Sequence, residues 1–458
     1  MNTELIKYYR LPGGWRVNVF SPDVTAAEGF FQFGPGVVCY GSCETGVTQD
    51  VAHTSEAEAS NGVKIDGPAI YLPFNFDTVV ENLQRERYEE RLAPGRERIV
   101  NREWVRKVYY FVRKLLPVSV RRHLQRLYFN DWRKRPFPAW PVDLTVDTLH
   151  RELLRLTMLA TGTSRVPFIW FWPEGATSCL IMTHDVETAA GRDFTPQLMK
   201  IDESHGLKSS FQVIPEDRYS VSDEFIREIR DGGFEFNIHD LNHDGKLYRE
   251  RNEFLRRAAK INEYAHRYGA AGFRAGAMYR NLDWYDSFTF SYDMSVPNVA
   301  HLEPKRGGCC TVFPFFIGKI LEIPVTMAQD YSLFHILNDY SLDLWKQQLD
   351  LVHARNGLMS FITHPDYLID RKSRREYEYL LDHLRERISR DKLWNALPGE
   401  VNDWWRSRSQ MELVPTHDGW EIEGPGKDRA RIAYAVLEGE DLVYELPNVR
   451  EDIRIRFS

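Results

Sequence analysis

The sequence predicts an α/β protein whose central part is a (β/α) barrel of about seven parallel strands. From Phe168 onward, short apolar runs alternate with amphipathic stretches of helical spacing. That alternation is typical of a parallel sheet covered by helices. Several of the helical stretches end in glycine, a frequent helix stop. Polar residues capable of catalysis follow different strands at their carboxyl ends, and a curled sheet brings such ends together.

The composition is that of an ordinary globular protein and limits the function classes. The chain has 458 residues, of which 43% are hydrophobic and 27% are charged, so one large domain with accessory parts is expected. A formal net charge of −7 argues against nucleic acid as a partner, because phosphate binding needs a basic surface. No apolar run is long enough for a signal peptide or a membrane-spanning helix, which predicts a cytoplasmic location.

The five cysteines show no framework spacing, and this favours free thiols over disulfides. Cys39 and Cys43 offer two ligands for a metal ion, which is too few to predict a site.

Four regions are expected along the chain. Residues 1–75 contain the turn signals "PGG" and "FGPG" and predict an N-terminal β-rich accessory region. Residues 76–165 are predicted to be helical, basic and aromatic, with a linker at "KRPFPAWP" where three prolines block helix and strand. Residues 166–392 form the barrel. Residues 393–458 alternate apolar and polar residues around turns and predict a small C-terminal β unit that joins the N-terminal strands in one β module.

The segment 96–135 is strongly basic and aromatic and allows two interpretations. A basic amphipathic segment can lie on an anionic membrane surface, which would give peripheral contact with the inner membrane face. Alternatively, two helices separated at Pro117 pack on the barrel and expose a charged face. The second interpretation is favoured.

Seven strands are predicted within the barrel region from its apolar runs. They are "SCLIMTHD", "SSFQVI", "FEFNIH", "GFRAG", "FSYDMS", "ILEIPVT" and "LMSFITH". Helices such as "DEFIREIRDGG" and "YSLDLWKQQLDLVHARNG" lie between several of them.

Two motifs at strand ends predict a metal site. "HDLNH" places His239 and His243 at spacing i, i+4, so that both imidazoles can face one cation from a single turn of chain. "THDVE" places Asp185 and Glu187 at the end of another strand. Three protein ligands with an open fourth position are the catalytic arrangement of zinc, and the remaining carboxylate is then available as a base.

These motifs, taken in order with "GFRAGAMYRN", "SYDMSVPN" and "LMSFITHPDY", resemble the polysaccharide deacetylases. This is the NodB-homology family of carbohydrate esterase family 4, here with a D-x-E variant of the first motif. The resemblance covers roughly residues 168–390 and implies a distorted barrel. It also implies a divalent cation such as Zn²⁺ and an acetylated sugar as substrate.

The resemblance also implies roles for single residues. Glu187, His239 and His243 would be the metal ligands, and Asp185 the base; a swap of Asp185 and Glu187 stays open, as does a role for Glu187 as a helix cap. Arg274 would hold the catalytic carboxylate. His364 would be the general acid, with Asp293 as its partner. The backbone of Ala277 would bind the oxyanion, and Tyr279 the substrate.

The chain departs from the family at two positions. Val186 stands where the family has a second aspartate, and Gly276 stands where it has proline before an aromatic residue.

The predicted function is metal-dependent removal of an N-acetyl or O-acetyl group from a sugar of a polysaccharide or of its cytoplasmic precursor. Two alternatives stay open. One is a small-amide C–N hydrolase of the same fold, and the other is a catalytically silent protein that binds or assembles glycans.

Overall fold

The computed structural model describes residues 3–15, 18–21, 27–92, 132–447 and 453–455. Its largest sheet is a curled half-barrel of mainly parallel strands that alternate with helices along the chain. The predicted fold class, a distorted (β/α) barrel, is therefore confirmed. Of the segment 96–135, on which the membrane interpretation rests, residues 96–131 lie outside the described ranges.

The N-terminal region contains short strands, as predicted, together with helices. Strand β1 pairs with β5 in parallel and β4 pairs with β5 antiparallel, while β2 and β3 form a hairpin. Asn75 caps helix α2 (Phe76–Gln84), because its side chain accepts a hydrogen bond from the Thr78 backbone N–H at 3.0 Å. The elements are α1 (Thr3–Tyr9), β1 (Asn18–Phe20), β2 (Gly29–Gln32), β3 (Val38–Gly41), β4 (Lys64–Asp66), β5 (Ala69–Tyr71) and α2 (Phe76–Gln84).

The proline-rich stretch 134–141 is packed against the protein. Phe137 is buried, and the Arg135 guanidinium donates a hydrogen bond to the His301 carbonyl oxygen at 2.9 Å. The buried carboxylate of Asp143 accepts hydrogen bonds from two backbone N–H groups on either side of it. This stretch leads into α3 (Thr145–Thr161) and β6 (Arg165–Ile169).

All seven predicted strands are present in the half-barrel. Its elements are β7 (Cys179–Val186), α4 (Ala189–Ser204), β8 (Ser209–Val213), α5 (Asp223–Asp231), β9 (Glu235–His239), α6 (Arg251–Tyr268), β10 (Gly272–Arg274), β11 (Tyr292–Asp293), β12 (Phe315–Ile317), β13 (Ile320–Glu322), α7 (Asp343–His353), β14 (Leu358–Thr363), α8 (Pro365–Leu368), α9 (Arg371–Arg390), β15 (Trp394–Asn395) and α10 (Pro398–Gln410).

The order of strands in this sheet is β12-β13-β11-β10-β9-β8-β7-β14, with β15 beside β7. Every neighbouring pair is parallel except β12 and β13. Strands β7, β8 and β14 are buried along their whole length, as expected for parallel strands that are covered on both faces. The carboxyl ends of the parallel strands therefore meet at one edge.

The C-terminal region does not join the N-terminal strands in one sheet, so that prediction is wrong. Strand β18 pairs antiparallel with β6, the strand that directly precedes the half-barrel, and β19 and β20 extend this sheet. The apolar run 165–169 therefore belongs with the C-terminal strands. The remaining elements are β16 (Glu412–Thr416), β17 (Gly419–Glu423), β18 (Ile432–Glu438), β19 (Asp441–Leu446) and β20 (Ile453–Ile455).

All five cysteines are free and buried. None of the helices within the described ranges is long and apolar enough to cross a membrane.

Candidate active site

Three of the predicted ligands lie together at the carboxyl edge of the half-barrel. One ligand atom each from Glu187, His239 and His243 lies within 4.8 Å of the others. Glu187 directly follows β7, and His239 is the last residue of β9. His243 lies on the loop after β9 with φ of 54°, a left-handed conformation that turns the chain back on itself. This turn brings the His243 ring centroid within 4.9 Å of that of His239.

The two imidazoles present nitrogen atoms that suit a cation. His239 Nδ1 lies 3.2 Å from the Arg274 carbonyl oxygen, so this nitrogen carries the proton and Nε2 keeps a lone pair. The Nε2 atom of His239 is buried and makes no hydrogen bond, and that of His243 lies 3.0 Å from Glu187 Oε1. Buried polar atoms usually have a partner, and two imidazoles with one carboxylate are a donor set typical of catalytic zinc. The residues therefore fit the divalent cation that the sequence predicts.

Asp185 lies beside this group and is held by Arg274. The guanidinium Nη1 donates to Asp185 Oδ1 at 2.7 Å and to Thr183 Oγ1 at 2.8 Å. Asp185 Oδ2 faces the other way, 3.8 Å from His239 Nε2. Burial favours the neutral acid, but the charge and hydrogen bond of Arg274, together with the nearby His239 and His364, outweigh it and lower the pKa of Asp185. Asp185 is therefore an ionised, oriented carboxylate with one oxygen directed at the ligand group.

His364, at the end of β14, faces the same group from another side. Its Nε2 lies 3.8 Å from Glu187 Oε1, and its Nδ1 lies 2.7 Å from Asp330 Oδ1. Burial lowers the pKa of this imidazole, but the carboxylates of Asp330, Glu187 and Asp185 together outweigh burial and raise the pKa to about 10. The imidazolium can therefore offer a proton from Nε2.

The predicted pairing of His364 with Asp293 is wrong. Asp330 binds both the ring and the backbone N–H of His364, the latter at 2.8 Å. Asp293 lies on β11, which is next to β13 in the sheet. The chain continues past the end of β13 and runs toward β14. That extension contacts β14 directly, because the Met327 N–H donates to the Ser360 carbonyl oxygen at 3.1 Å. Asp330 follows this contact and is therefore the carboxylate within reach.

Asp293 supports the loop after β10. Its carboxylate accepts hydrogen bonds from the Tyr285 hydroxyl at 2.8 Å and from the Ser295 hydroxyl at 2.8 Å. The Ser295 hydroxyl oxygen in turn accepts the backbone N–H of Ala275 at 2.8 Å. Asp293 is thus connected to the segment of residues 275–279, which contains both predicted substrate contacts.

Residues Gly276–Met278 form a tight 3₁₀ turn against the ligand group, with φ of 53° at Ala277. A Cβ atom on Gly276 would lie 2.5 Å from Asp240 Oδ2 and 3.0 Å from the His243 ring. No larger residue, proline included, fits without movement of the Asp240 carboxylate and adjustment of this ring. Glycine in place of the family's proline therefore allows this turn to pack closely on His243. Ala277 and Tyr279 are half-buried in this turn.

The departure at Val186 leaves the ligand group complete. Val186 is fully buried, and its carbonyl oxygen accepts the Tyr219 hydroxyl at 2.5 Å. Thr188, not Glu187, is the N-cap of α4, so Glu187 does not serve as a helix cap. The Asp366 carboxylate accepts the Glu187 backbone N–H at 3.1 Å and thereby fixes the position of the ligand.

Sequence reasoning missed Asp330 and Asp366. Both are carboxylates a few residues past a strand, and Asp366 lies two positions after His364 in the quoted "THPDY" motif. The aspartate in "MAQDYS", after the sixth predicted strand, was an available signal for Asp330.

Comparison with known proteins gives matches of structure only. No family model matches the chain, and no curated protein matches it by sequence. A protein from Mycobacterium smegmatis assigned as a polysaccharide deacetylase matches with 18% identity and a TM-score of 0.43 over 54% of this chain and 97% of that chain.

Two further solved structures are similar over a comparable part of the chain. The allantoinase Puue shares 11% identity with a TM-score of 0.41, over 51% of this chain and 92% of that one. A carbohydrate esterase family 4 pseudoenzyme from Bacillus anthracis shares 15% identity with a TM-score of 0.33, over 50% of this chain and 66% of that one. The structures found include the family that the motifs resemble.

Proposed function

We propose that this protein is a metal-dependent hydrolase that removes an N-acetyl or O-acetyl group from a sugar of a polysaccharide or of its biosynthetic precursor. The observation that carries this proposal is the convergence of the carboxylate of Asp185 and the imidazole of His364 on the candidate cation-binding group. Metal-assisted acyl hydrolysis uses a base that takes the proton of the attacking water and an acid that protonates the leaving group, placed on two sides of the cation.

Glu187, His239 and His243 would hold the cation, and the donor set suits Zn²⁺. When bound, the cation supplies Lewis-acid polarisation of the acyl carbonyl.

The residues of the chain perform the proton transfers. Asp185 is positioned by Arg274 to take a proton from the attacking water as its oxygen forms a bond to the acyl carbon. The backbone N–H of Ala277 is the candidate donor to the developing oxyanion. His364 then gives the proton on Nε2 to the leaving nitrogen or oxygen as its bond to the acyl carbon breaks, and acetate is released. Asp330 keeps the imidazole in the orientation that this transfer needs.

In this proposal Glu187 would supply the ligand that Val186 cannot, and the silent-protein alternative, which the departures at Val186 and Gly276 suggest, stays a prediction. The small-amide alternative and the cytoplasmic, membrane-proximal location stay predictions.

The proposal is tested by the metal content and activity of the full chain. We expect one equivalent of zinc in the wild type and loss of zinc in His239→Ala. The matched control is His417→Ala, at a histidine that is 97% exposed and should leave zinc binding intact.

Activity is measured as acetate released from oligomers of N-acetylglucosamine. The variant Asp185→Asn should keep zinc and lose on the order of 10²–10⁴-fold in kcat, the usual contribution of a general base. Retained activity in purified Asp185→Asn would disprove the mechanism, and a wild type that binds no zinc would disprove the metal site.

A further inference from the structure

His184, on β7, takes no part in the mechanism described so far, although it directly precedes Asp185. Side chains alternate between the two faces of a strand. The imidazole of His184 therefore lies on the side of the covering helices, while Asp185 lies on the side of Arg274. The His184 side chain is fully buried, and each of its ring nitrogens has a side-chain partner. A buried imidazole with two such partners is held in one orientation.

The first partner of His184 is the carboxylate of Asp202 on α4. His184 Nε2 lies 2.8 Å from Asp202 Oδ2, and because a carboxylate only accepts hydrogen bonds, Nε2 carries a proton. Asp202 also accepts the hydroxyls of Ser209 and Tyr377, each at 2.6 Å. These two donors belong to β8 and α9. The imidazole is therefore anchored to several elements on the helix side of the sheet.

The second partner of His184 is Thr363 on β14, which directly precedes His364. His184 Nδ1 lies 2.7 Å from Thr363 Oγ1, and in a neutral imidazole this nitrogen accepts the hydroxyl proton. Thr363 and His184 are also the last registered pair of β14 and β7. The side-chain bond therefore lies at the final rung between the two strands, one residue before the candidate base and one residue before the candidate acid.

Asp185 and His364 differ in what else holds them. Asp185 is bonded by Arg274, and its backbone continues in register with β8. His364 has left the ladder of β14 and occupies the N-cap position of α8, where Asp330 bonds its ring and its backbone N–H. The position of His364 thus depends on where β14 ends relative to β7, which is the point that the side-chain bond fixes.

We propose that His184 is a positioning residue, which fixes the end of β14 against the end of β7 and thereby sets the place of the His364 imidazole relative to Asp185. This inference rests on the proposed function, in which His364 gives a proton to the leaving group. His184 acts through its neighbours alone. Displacement of the acid should slow the proton transfer and leave the binding of substrate unchanged.

The test is Thr363→Val, which keeps the branched shape of the side chain and removes its hydroxyl. In zinc-loaded full-length protein, kcat for oligomers of N-acetylglucosamine should fall on the order of tenfold, with KM within about twofold of wild type. This is less than the full contribution of a general acid, because Asp330 still holds the ring. For para-nitrophenyl acetate, whose leaving group departs as an anion, kcat should fall less than about twofold, because Asp185 keeps its own support.

Three further variants complete the experiment. Thr363→Ser keeps the hydroxyl and should retain kcat on both substrates. Thr157→Val makes the same substitution on α3, where a buried hydroxyl donates to the Leu153 carbonyl oxygen at 2.7 Å, and should leave the ratio of the two kcat values unchanged. Asp202→Asn keeps the shape of the side chain and disturbs the anchor of His184 from its other end. It should change the two kcat values in the same unequal way as Thr363→Val.

Equal losses on both substrates in Thr363→Val, or wild-type kcat on both, would overturn the positioning role. The proposed function fails separately, when the wild type releases no acetate from the oligomers. The role of His184 is then decided by NMR of protein with isotope-labelled histidine. The resonance of the His364 Nδ1 proton, which is bonded to Asp330, should shift in Thr363→Val and stay in place in Thr157→Val. An unshifted resonance in Thr363→Val would overturn the role.

Discussion

Two buried arginines lie close together in the chain, and each forms an ion pair with a buried carboxylate. The two ion pairs differ in their surroundings. Arg274, the last residue of β10, binds Asp185 at 2.7 Å inside the half-barrel. Arg280, on the loop that follows, binds Glu86 of the N-terminal region through Nε at 2.7 Å and also through Nη2. Both guanidinium groups and both carboxylates are buried.

The polar atoms around the two carboxylates differ in how many of them form hydrogen bonds. Glu86 also accepts the Gly308 backbone N–H at 2.6 Å and lies 3.8 Å from the Lys305 ammonium. Around Asp185, by contrast, Arg274 Nη2 and His239 Nε2 are buried and make no hydrogen bond. Unsatisfied polar atoms cost stability and are retained where a ligand or a reaction uses them. The comparison supports the proposed role of the Arg274 pair in chemistry and indicates a structural role for the Arg280 pair.

The largest expected effect comes from breaking the Arg274 pair. Arg274→Met leaves Asp185 as a buried, unpaired carboxylate, which should reduce the free energy of unfolding by about 3–5 kcal/mol. It should also lower kcat by at least about 10²-fold, because the base loses its orientation. KM for the acetylated sugar and zinc content should stay near the wild-type values.

Arg274→Lys keeps the charge and serves as the variant that folds. A lysine cannot reproduce the planar guanidinium, whose Nη1 bonds Asp185 and Thr183 while its Nε donates to the Met294 carbonyl oxygen at 3.0 Å, so kcat should still fall while KM does not. Wild-type kcat in a folded Arg274→Lys protein would show that orientation by the guanidinium is unimportant.

Breaking the Arg280 pair should affect stability more than activity. Glu86→Gln keeps the shape of the side chain but leaves the Arg280 charge buried and unpaired. We expect a loss of about 3 kcal/mol in urea unfolding and a decrease in kcat of less than about tenfold. The matched control is Glu89→Gln on the same segment, whose carboxylate is 30% exposed and 3.5 Å from Lys305. It should cost less than about 1 kcal/mol.

The stability difference for Glu86 should depend on pH. Burial favours the neutral acid, yet Arg280 and Lys305 outweigh burial and lower the folded-state pKa of Glu86 below its ordinary value of 4.5. A carboxyl group with a lowered folded pKa binds its proton more readily in the unfolded chain, so it stabilises the fold at higher pH. The difference between wild type and Glu86→Gln should be full above pH 4.5 and should shrink as the pH falls below it. A constant difference from pH 7 to pH 3 would contradict this assignment.

The two pairs also differ in how far the sequence could predict them. Arg274 ends one apolar run and Asp185 ends another, so the carboxyl edge of a parallel sheet places them together. The same reasoning placed Glu187, His239, His243 and His364, which lie at strand ends or on the loop that directly follows. Glu86 and Arg280 lie on loops of two different regions, and no periodicity or spacing connects them.

Asp330 shows where strand-end reasoning fails. The sheet is curled but irregular, and the chain continues past the end of β13 before it reaches His364. The order of motifs therefore pointed to Asp293, while the distance is decided by a loop that contains a π-helical turn, Tyr331–Leu337. The partner of the C-terminal strands could not be predicted for a similar reason. Strand β6, with which they pair, directly precedes the half-barrel and falls within the range 166–392 predicted for the barrel.

The smallest expected effect comes from Lys305, at the edge of the Arg280 pair. Its ammonium is 21% exposed and lies 3.8 Å and 3.5 Å from the carboxylates of Glu86 and Glu89. Partly exposed pairs at such distances are screened by water and contribute little. Lys305→Met should therefore reduce the free energy of unfolding by about 1 kcal/mol or less, and more at low salt than at high salt. A double-mutant cycle with Glu86→Gln measures the coupling directly, and a coupling above about 2 kcal/mol would mean that Glu86 depends on Lys305 as well as on Arg280.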